Sequence, residues 1–327
     1  PNKIMTDYLQ ETVQSMPDRV ALVTTNKVPV LGRVDSTITF GQLNDRVGAL
    51  AAALVEMGLK KGDRVAIVMP NCVQFVMAYF AVLTAGGCVA ATNPTYPKAK
   101  MAYQLNDSDA KFVITLTLFY SLIKDVQPET KVQRVIVTNI KEYFPTIAKF
   151  LFTMAMEKKR GHYLKVLQGD DVWLQDLLQQ YSGRKPDVQV QPDDYALFQY
   201  TGGTTGVSKG AIATLRILVA TTEMLMAWTG LTNGKIGDLR REDMVYLGAL
   251  PMFHAYGLVA LLTNGVSCGG KIVLVPNARD IGEVVDIIHH YKPTIFLGVP
   301  ALYNAVNNHP RVQSGEVSLA SFVLSTS

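Results

Sequence analysis

The sequence predicts an α/β protein built on doubly wound, mostly parallel sheets. Three observations carry that expectation. Of the 327 residues, 48% are hydrophobic and 18% charged, the composition of a folded chain with one large core or two modest ones. From residue 64 onward, short apolar runs alternate with stretches of helical periodicity, the rhythm of parallel strands joined by crossover helices. The same rhythm returns in the second half, so two sheet-based subdomains packed together are expected rather than one sheet.

Arg64 to Met69 reads as a strand, Pro70-Asn71 as a turn and helix cap, and Val73 to Ala85 as a helix. The uncharged run from Val73 to Ala91 is long enough to suggest a membrane span. Gly86-Gly87 interrupts it, so a helix that stops there and a strand from Cys88 to Thr92 fit better. Lys98 to Asn106 is a second helix, and Lys111 to Thr115 and Arg134 to Thr138 are further strands. Downstream, Tyr195 to Tyr200, Met244 to Leu250, Lys271 to Val275, Thr294 to Gly298 and Phe322 to Ser325 are expected strands. Ile212 to Trp228 and Ile281 to Tyr291 are expected helices.

The formal net charge of +4 is spread among interspersed acids and bases, which disfavours DNA or RNA as a partner. Cys72, Cys88 and Cys268 are odd in number, far apart and set in apolar runs, so they read as buried thiols of a reducing cytoplasm. The chain opens at Pro1, and nothing near it has a signal-peptide layout. Between Tyr143 and Tyr163, Phe144, Ile147, Phe150, Leu151, Met154 and Met156 mix with Lys149, Lys158, Lys159 and Arg160. An ordinary surface helix with a solvated basic end is the first reading. A helix resting on a membrane surface is the second.

The sharpest local pattern is Tyr200-Thr201-Gly202-Gly203-Thr204-Thr205-Gly206-Val207-Ser208-Lys209-Gly210, expected to follow a strand and precede a helix. Glycines allow backbone N–H groups close to an anion, the threonines add hydroxyl donors, and Lys209 supplies a point charge. Together they suit a polyphosphate. A Walker loop needs Gly-Lys followed directly by Ser or Thr, whereas here Ser208 precedes Lys209 and Gly210 follows it. A dinucleotide fingerprint needs a residue between its first two glycines, and Gly202 and Gly203 are adjacent.

This loop resembles that of the adenylate-forming superfamily, which includes acyl-CoA ligases, luciferases and the adenylation domains of peptide synthetases. Gly202 stands where Ser is frequent and Ser208 where Pro is frequent; the Thr-Gly-Gly-Thr-Thr-Gly form is similar to long-chain fatty acyl-CoA ligases in particular. Thr39-Phe40 through Leu43, Val65 to Asn71, Ala85-Gly86-Gly87, Asn93-Pro94 and Gln104 to Ser108 follow the same family order. One departure is Ala213-Thr214-Leu215-Arg216-Ile217, where the family usually has Leu-Thr-His-x-Asn.

The resemblance implies stacked, mostly parallel sheets belonging to part of an N-terminal AMP-binding domain over residues 1–327, with a small C-terminal domain lying outside. It implies ATP, Mg2+ and coenzyme A as reaction partners alongside a fatty acid. Thr201, Gly202, Gly203, Thr204, Thr205, Gly206 and Lys209 would hold the nucleotide phosphates. Pro251-Met252-Phe253-His254-Ala255-Tyr256-Gly257 resembles the family's Pro-x-Phe-His-x-x-Gly segment, whose His lies beside the acyl carboxylate and α-phosphate. From the residues alone, a His satisfied by its neighbours at a loop edge remains open. Thr294 to Tyr303 resembles the strand and Gly298-Val299-Pro300 turn that wall the acyl pocket; a plain buried strand with Pro at the first helical turn is the alternative. His162, His289, His290 and His309 have no partner motif and are expected to be structural or surface residues. The metal ligands, ribose-binding Asp, hinge and C-terminal Lys of the family correspond to no residue of this chain. These residues alone are therefore expected not to form an acyl-adenylate. A different adenylating enzyme, or a non-catalytic nucleotide- or lipid-binding homologue, would share the loop.

Overall fold

The computed structural model describes residues 3–28, 31–201, 208–231, 235–236 and 238–326. The chain begins with α1 (Met5–Ser15), the hairpin strands β1 (Val20–Val28) and β2 (Gly32–Thr39), and α2 (Phe40–Glu56). The Thr39 hydroxyl accepts from the Gln42 N–H while the Gln42 side chain accepts from the Thr39 N–H, a reciprocal cap that starts α2 sharply. The expected alternation follows: β3 (Arg64–Val68), α3 (Val73–Thr84), β4 (Cys88–Thr92), α4 (Lys98–Asp107), β5 (Ala110–Leu116), α5 (Thr117–Val126) and β6 (Arg134–Thr138). Next are α6 (Thr146–Leu151), which runs on as a wider π-type turn to Met156, β7 (Val172–Trp173) and α7 (Leu174–Gln180).

The second half supplies β8 (Tyr195–Thr201), β9 (Lys209–Thr214), α8 (Leu215–Trp228) and a short ribbon of β10 (Lys235–Ile236) with β11 (Leu239–Arg240). It continues through β12 (Val245–Gly248), a π-type helix from Gly257 that runs into α9 (Asn264–Ser267), β13 (Lys271–Leu274) and α10 (Ile281–Tyr291). The last elements are β14 (Ile295–Leu297), α11 (Pro300–Asn307), α12 (Pro310–Gln313) and β15 (Leu324–Thr326).

Two large sheets result. One runs β7-β6-β5-β3-β4-β8-β9 and the other β15-β14-β12-β13-β1-β2. Each is parallel except at one edge, where β9 lies antiparallel to β8 and β2 antiparallel to β1. The N-terminal hairpin thus completes the sheet made by the chain's far end.

Helix α3 explains how the layers stack. Every residue from Val73 to Leu83 is buried, because apolar side chains occupy all its faces and it packs on α2 and α1 as well as on its own sheet. A helix hydrophobic all round belongs either in a lipid bilayer or in a protein core. Here it is core, and no described helix is long and apolar enough to cross a membrane. It ends as expected at the glycine pair, with Gly86 at φ +73° and β4 starting two residues later. Cys72, Cys88 and Cys268 are free and buried, and burial pushes their thiols up, to about 12, 12 and 11.

Three expectations need correction. The stretch after the glycine-rich loop is not yet helix: Lys209–Thr214 is a strand, and α8 starts only at Leu215, where the Thr214 hydroxyl accepts from the Ile217 N–H. The glycine-rich loop therefore joins two antiparallel strands instead of opening a helix. Nor does Asn71 cap α3, whose N-cap is Cys72 with no side-chain bond. The segment from 143 to 163 does not bury its apolar side as an ordinary surface helix would; only Ala148 and Phe152 of α6 and its extension are buried, while Ile147, Phe150, Leu151 and Met154 face outward.

The Asn71 side chain is used elsewhere. Its Nδ2 donates to the Gly248 carbonyl at 2.8 Å and the Leu250 carbonyl at 2.7 Å, and its Oδ1 accepts from the Met252 N–H at 2.8 Å. One buried amide from the turn after β3 thereby pairs three backbone groups at the end of β12, across the two sheets. Asn71→Ala strands those groups in the interior and is expected to lower the unfolding free energy by about 3 kcal/mol. The denaturant midpoint measures this; a loss below about 1 kcal/mol would mean the bridge does not hold the sheets together.

Candidate active site

Residues 202–207, which include the expected phosphate contacts Gly202, Gly203, Thr204, Thr205 and Gly206, lie outside the described residues. Their two flanks are described. Thr201 ends β8 and Lys209 begins β9, directly opposite each other in the ladder. Helix α4 grips both strands: the Tyr103 hydroxyl donates to the Ser208 carbonyl at 2.8 Å, and the Tyr200 hydroxyl donates to Asp107 Oδ2 at 2.7 Å. Burial and the bond to Asp107 raise the Tyr200 phenol well above its usual range, so the hydroxyl stays a donor. Lys209 is exposed and forms no ion pair with any described residue. A lysine left unneutralised next to a glycine-rich segment whose two flanks are held is available to an anionic ligand.

His254 sits one turn of chain beyond the Asn71 bridge. Its N–H donates to the Pro251 carbonyl at 3.1 Å and its carbonyl accepts from the Leu258 N–H at 2.8 Å, which fixes the backbone as a tight bend leading into the helix from Gly257. Gly257 is obligatory in this bend, since a Cβ there would stand 2.1 Å from the Pro251 carbonyl oxygen. Gln199 of β8 donates through Nε2 to the Phe253 carbonyl at 3.2 Å, tying the strand before the glycine-rich loop to the bend. The His254 ring lies 4.8 Å from that of Phe253 and is open to solvent on its far side. Partial desolvation, and secondarily the positive charge of Lys100 on α4, hold its pKa below the ordinary imidazole value. At neutral pH it is an uncharged imidazole, able to donate one N–H.

His254 lines a cavity of about 910 Å³. Its walls are chiefly apolar, with Leu116 of β5 and Phe119 of α5 from one layer and Leu250 after β12, Ile281 of α10 and Leu302 of α11 from the other, and Asn71 and His254 among the polar residues. That volume is at the upper end for small-molecule sites. Of the residues expected to contact an acyl group, Tyr256 donates its hydroxyl to the Thr326 carbonyl at 2.7 Å, and Gly298 lies beneath the Tyr303 ring. Pro300 is exposed at the start of α11, and the wall there is made by its neighbours Val299, Ala301 and Leu302.

Two residues escape sequence reasoning. Asn71 reads there as a cap. His162 reads as structural or surface, yet it is buried, lines the large cavity, and has an Nδ1 with no partner among the described residues. Desolvation lowers its pKa. A second cavity of about 300 Å³ shares Asn71, Arg160 and His162 with the first and adds Gln74 and Asn26, each with a buried unpaired polar atom. His289 and His290 are exposed at the end of α10, and His309 caps α12, as expected of structural residues.

The description "AMP-binding enzyme" matches residues 9–325. The chain belongs to the AMP-binding enzyme family. It is 32% identical over 328 residues to a long-chain-fatty-acid–CoA ligase of Bacillus subtilis (strain 168), covering 100% of this chain and 56% of the relative. It is 33% identical to the ligase of the same name from Escherichia coli O157:H7, covering 97% and 56%. The chain thus spans about half the length of the curated AMP-binding relatives it matches. A 4-coumarate–CoA ligase 1 of Solanum tuberosum is 27% identical over 90% of the chain and 48% of the relative. Among solved structures, a long-chain-fatty-acid-CoA ligase from Archaeoglobus fulgidus superposes with a TM-score of 0.75 at 24% identity, covering 96% of this chain and 55% of that one. An anthranilate CoA ligase in complex with anthranoyl-AMP gives 0.78 at 20% identity, over 99% and 54%. These matches show that the stacked sheets are the AMP-binding fold.

The electrostatics of the bend are directly testable. The His254 ring is expected to titrate below 6.5 by NMR, and Lys100→Ala to raise that value only in part, because desolvation is the larger cause. A titration at or above 6.5 in the unsubstituted protein would contradict the site's geometry.

Proposed function

We propose that the protein is an AMP-forming long-chain fatty acid–CoA ligase. The observation that carries this reading is the placement of the exposed Lys209, at the start of β9 with its flanks held by Tyr103 and Tyr200, and of the neutral His254, lining an apolar cavity on a bend tied to β8 through Gln199. The names of the 32–33% identical relatives support a fatty acid as the carboxylate. A cavity of about 910 Å³ has more room than an aryl acid requires.

A carboxylate cannot lose oxide, so it must first be activated. Its oxygen attacks the α-phosphorus of ATP, the P–O bond to the β-phosphate breaks, and pyrophosphate leaves. A thiolate of coenzyme A then attacks the carbonyl carbon of the mixed anhydride, and AMP departs with the electron pair of the C–O bond. In this reading Lys209 and the hairpin hold the departing phosphates, and the His254 N–H donates to the oxygens on which negative charge grows. An uncharged donor stabilises that growth without gripping the ground-state carboxylate as a cation would. The described residues contain no group of three His, Cys, Asp or Glu side chains able to hold a metal. No step here is assigned to a metal. The reading places the enzyme in the cytoplasm, where ATP and coenzyme A are at hand.

Pyrophosphate release by the full-length protein tests the reading. Palmitate is expected to outcompete acetate, benzoate and amino acids, and preference for one of those would move the protein to another ligase class. Lys209→Ala and His254→Ala are each expected to lower kcat by about 10²-fold. Unchanged acyl-CoA synthesis in Lys209→Ala would remove the role given to Lys209, and no synthesis by the unsubstituted full-length protein would leave only a binding homologue. If the neutral imidazole is the donor, kcat/KM is flat from pH 7 upward and falls as pH drops through the lowered His254 pKa; activity that rises with acidification there would assign the role to the cation.

A further inference from the structure

The ligase reading gives no role to the smaller cavity, of about 300 Å³, which adjoins the larger one along Asn71, Arg160 and His162. It is lined by the middle of β1, the start of α3, the chain that leaves β13 and the turn bearing Arg160 and His162. Tyr143, Phe144 and Phe152 add aromatic surface. Neither His254 nor its bend lines this cavity, so whatever part of an acyl ligand enters it is remote from the reacting carboxylate.

Three of the lining side chains hold buried polar atoms without a partner among the described residues: Gln74 Oε1, His162 Nδ1 and Asn26 Nδ2. Buried polar groups in folded proteins are nearly always paired, so three around one cavity point to a hydrogen-bonding group as its occupant. The Gln74 amide is fixed in orientation. It is fully buried, and its Nε2 donates at 2.9 Å to the Asn139 carbonyl, a group that only accepts. The Oε1 is therefore an acceptor in need of a donor. The His162 ring, kept neutral chiefly by desolvation, has one N–H and one lone pair. Asn26 Nδ2 only donates.

Charge narrows the choice of ligand. The charged side chains on the walls are two of each sign, Lys27 and Arg160 against Asp280 and Glu283. Lys27 already pairs with Asp286, and Glu283 with Arg33. A carboxylate or a ketone brings no hydrogen to Gln74 Oε1, an ammonium brings no lone pair to Asn26, and an alkyl chain leaves all three atoms unpaired. An alcohol meets both needs: its O–H donates to Gln74 while its oxygen accepts from Asn26 or His162. The aromatic surface suits the methylenes on either side of it.

We propose that the smaller cavity is a subsite for a hydroxyl on the distal part of the acyl chain, with Gln74 Oε1 accepting from it and Asn26 Nδ2 or the His162 ring donating to it, so that long-chain hydroxy acids are preferred to their unsubstituted parents. The inference rests on the acyl reading of the larger cavity. Its test is pyrophosphate release by the full-length protein, comparing kcat/KM for palmitate with ω-hydroxypalmitate and for stearate with stearates hydroxylated in mid-chain. At least one hydroxy acid is expected to exceed its parent by about tenfold, the net worth of one or two hydrogen bonds once cavity water is displaced. Asn26→Leu and His162→Phe change side chains that make no hydrogen bond to a described residue, and the two together are expected to bring that ratio close to one. Gln74→Met should do the same, with the denaturant midpoint reporting the cost of losing the bond to Asn139. A ratio near one for every pair in the unsubstituted protein, or a preference that survives these substitutions, overturns the subsite, while palmitate turnover keeps the ligase reading. If no acid is turned over the ligase reading falls, and calorimetric affinities for the same pairs then decide the subsite by the same ratio.

Discussion

The constraint on which the site depends is the Asn71 amide. Parallel sheets carry their functional loops at the C-terminal ends of the strands, and two stacked sheets must keep those ends in register for one site to form between them. Asn71 follows β3 of one sheet and bonds Gly248, Leu250 and Met252 at the end of β12 in the other. The bend carrying His254 starts from Pro251, inside that bonded stretch. The cavity walls come from both sheets, so their separation, and hence the cavity's width, is set where the amide spans them. Gln199 adds a second tie from β8, and two tyrosine hydroxyls join α4 to the flanks of the glycine-rich segment at Tyr200 and Ser208. Hydrogen bonds between rigid elements, not loop flexibility, position each described component.

The distribution of charge follows the same division of labour. Much of the basic surface is tied up: Lys124 pairs with the nearly buried Asp171, Arg33 with Glu283, and Lys111 with Asp63. These pairs join neighbouring elements. Lys209 is left out of this arrangement, and His254 is kept neutral by its surroundings. Charges committed to structure cannot serve a ligand.

How much of this was legible in the sequence depended on how local each signal was. The alternation from β3 to β6 and the stop at Gly86 were legible because strand, helix and glycine turn are each written in a few adjacent residues. The glycine-rich loop reads as a phosphate cradle whose spacing disfavours the Walker and dinucleotide alternatives, an expectation that falls on residues 202–207, outside the described ones. Its setting was misread, because Lys209–Thr214 is short and partly exposed and runs directly into the pattern of α8. The N-terminal strands β1 and β2 were not expected at all; the parallel partner of β1, β13, is remote in the chain, and no local pattern reports it. Asn71 looked like a cap because Asn before an apolar helix usually is one. His162 carried no signal, since its burial is created by Phe152 and the turn around it.

The pairing of Leu22 with Ile272 has a temporal consequence. A chain emerging from the ribosome presents β1 and β2 early, but the strand that must flank them appears about 250 residues later. Until then the hairpin has an open edge, a template for mispairing. Closing so long a loop is slow, so this fold is expected to pass through a stage in which its beginning waits for its end.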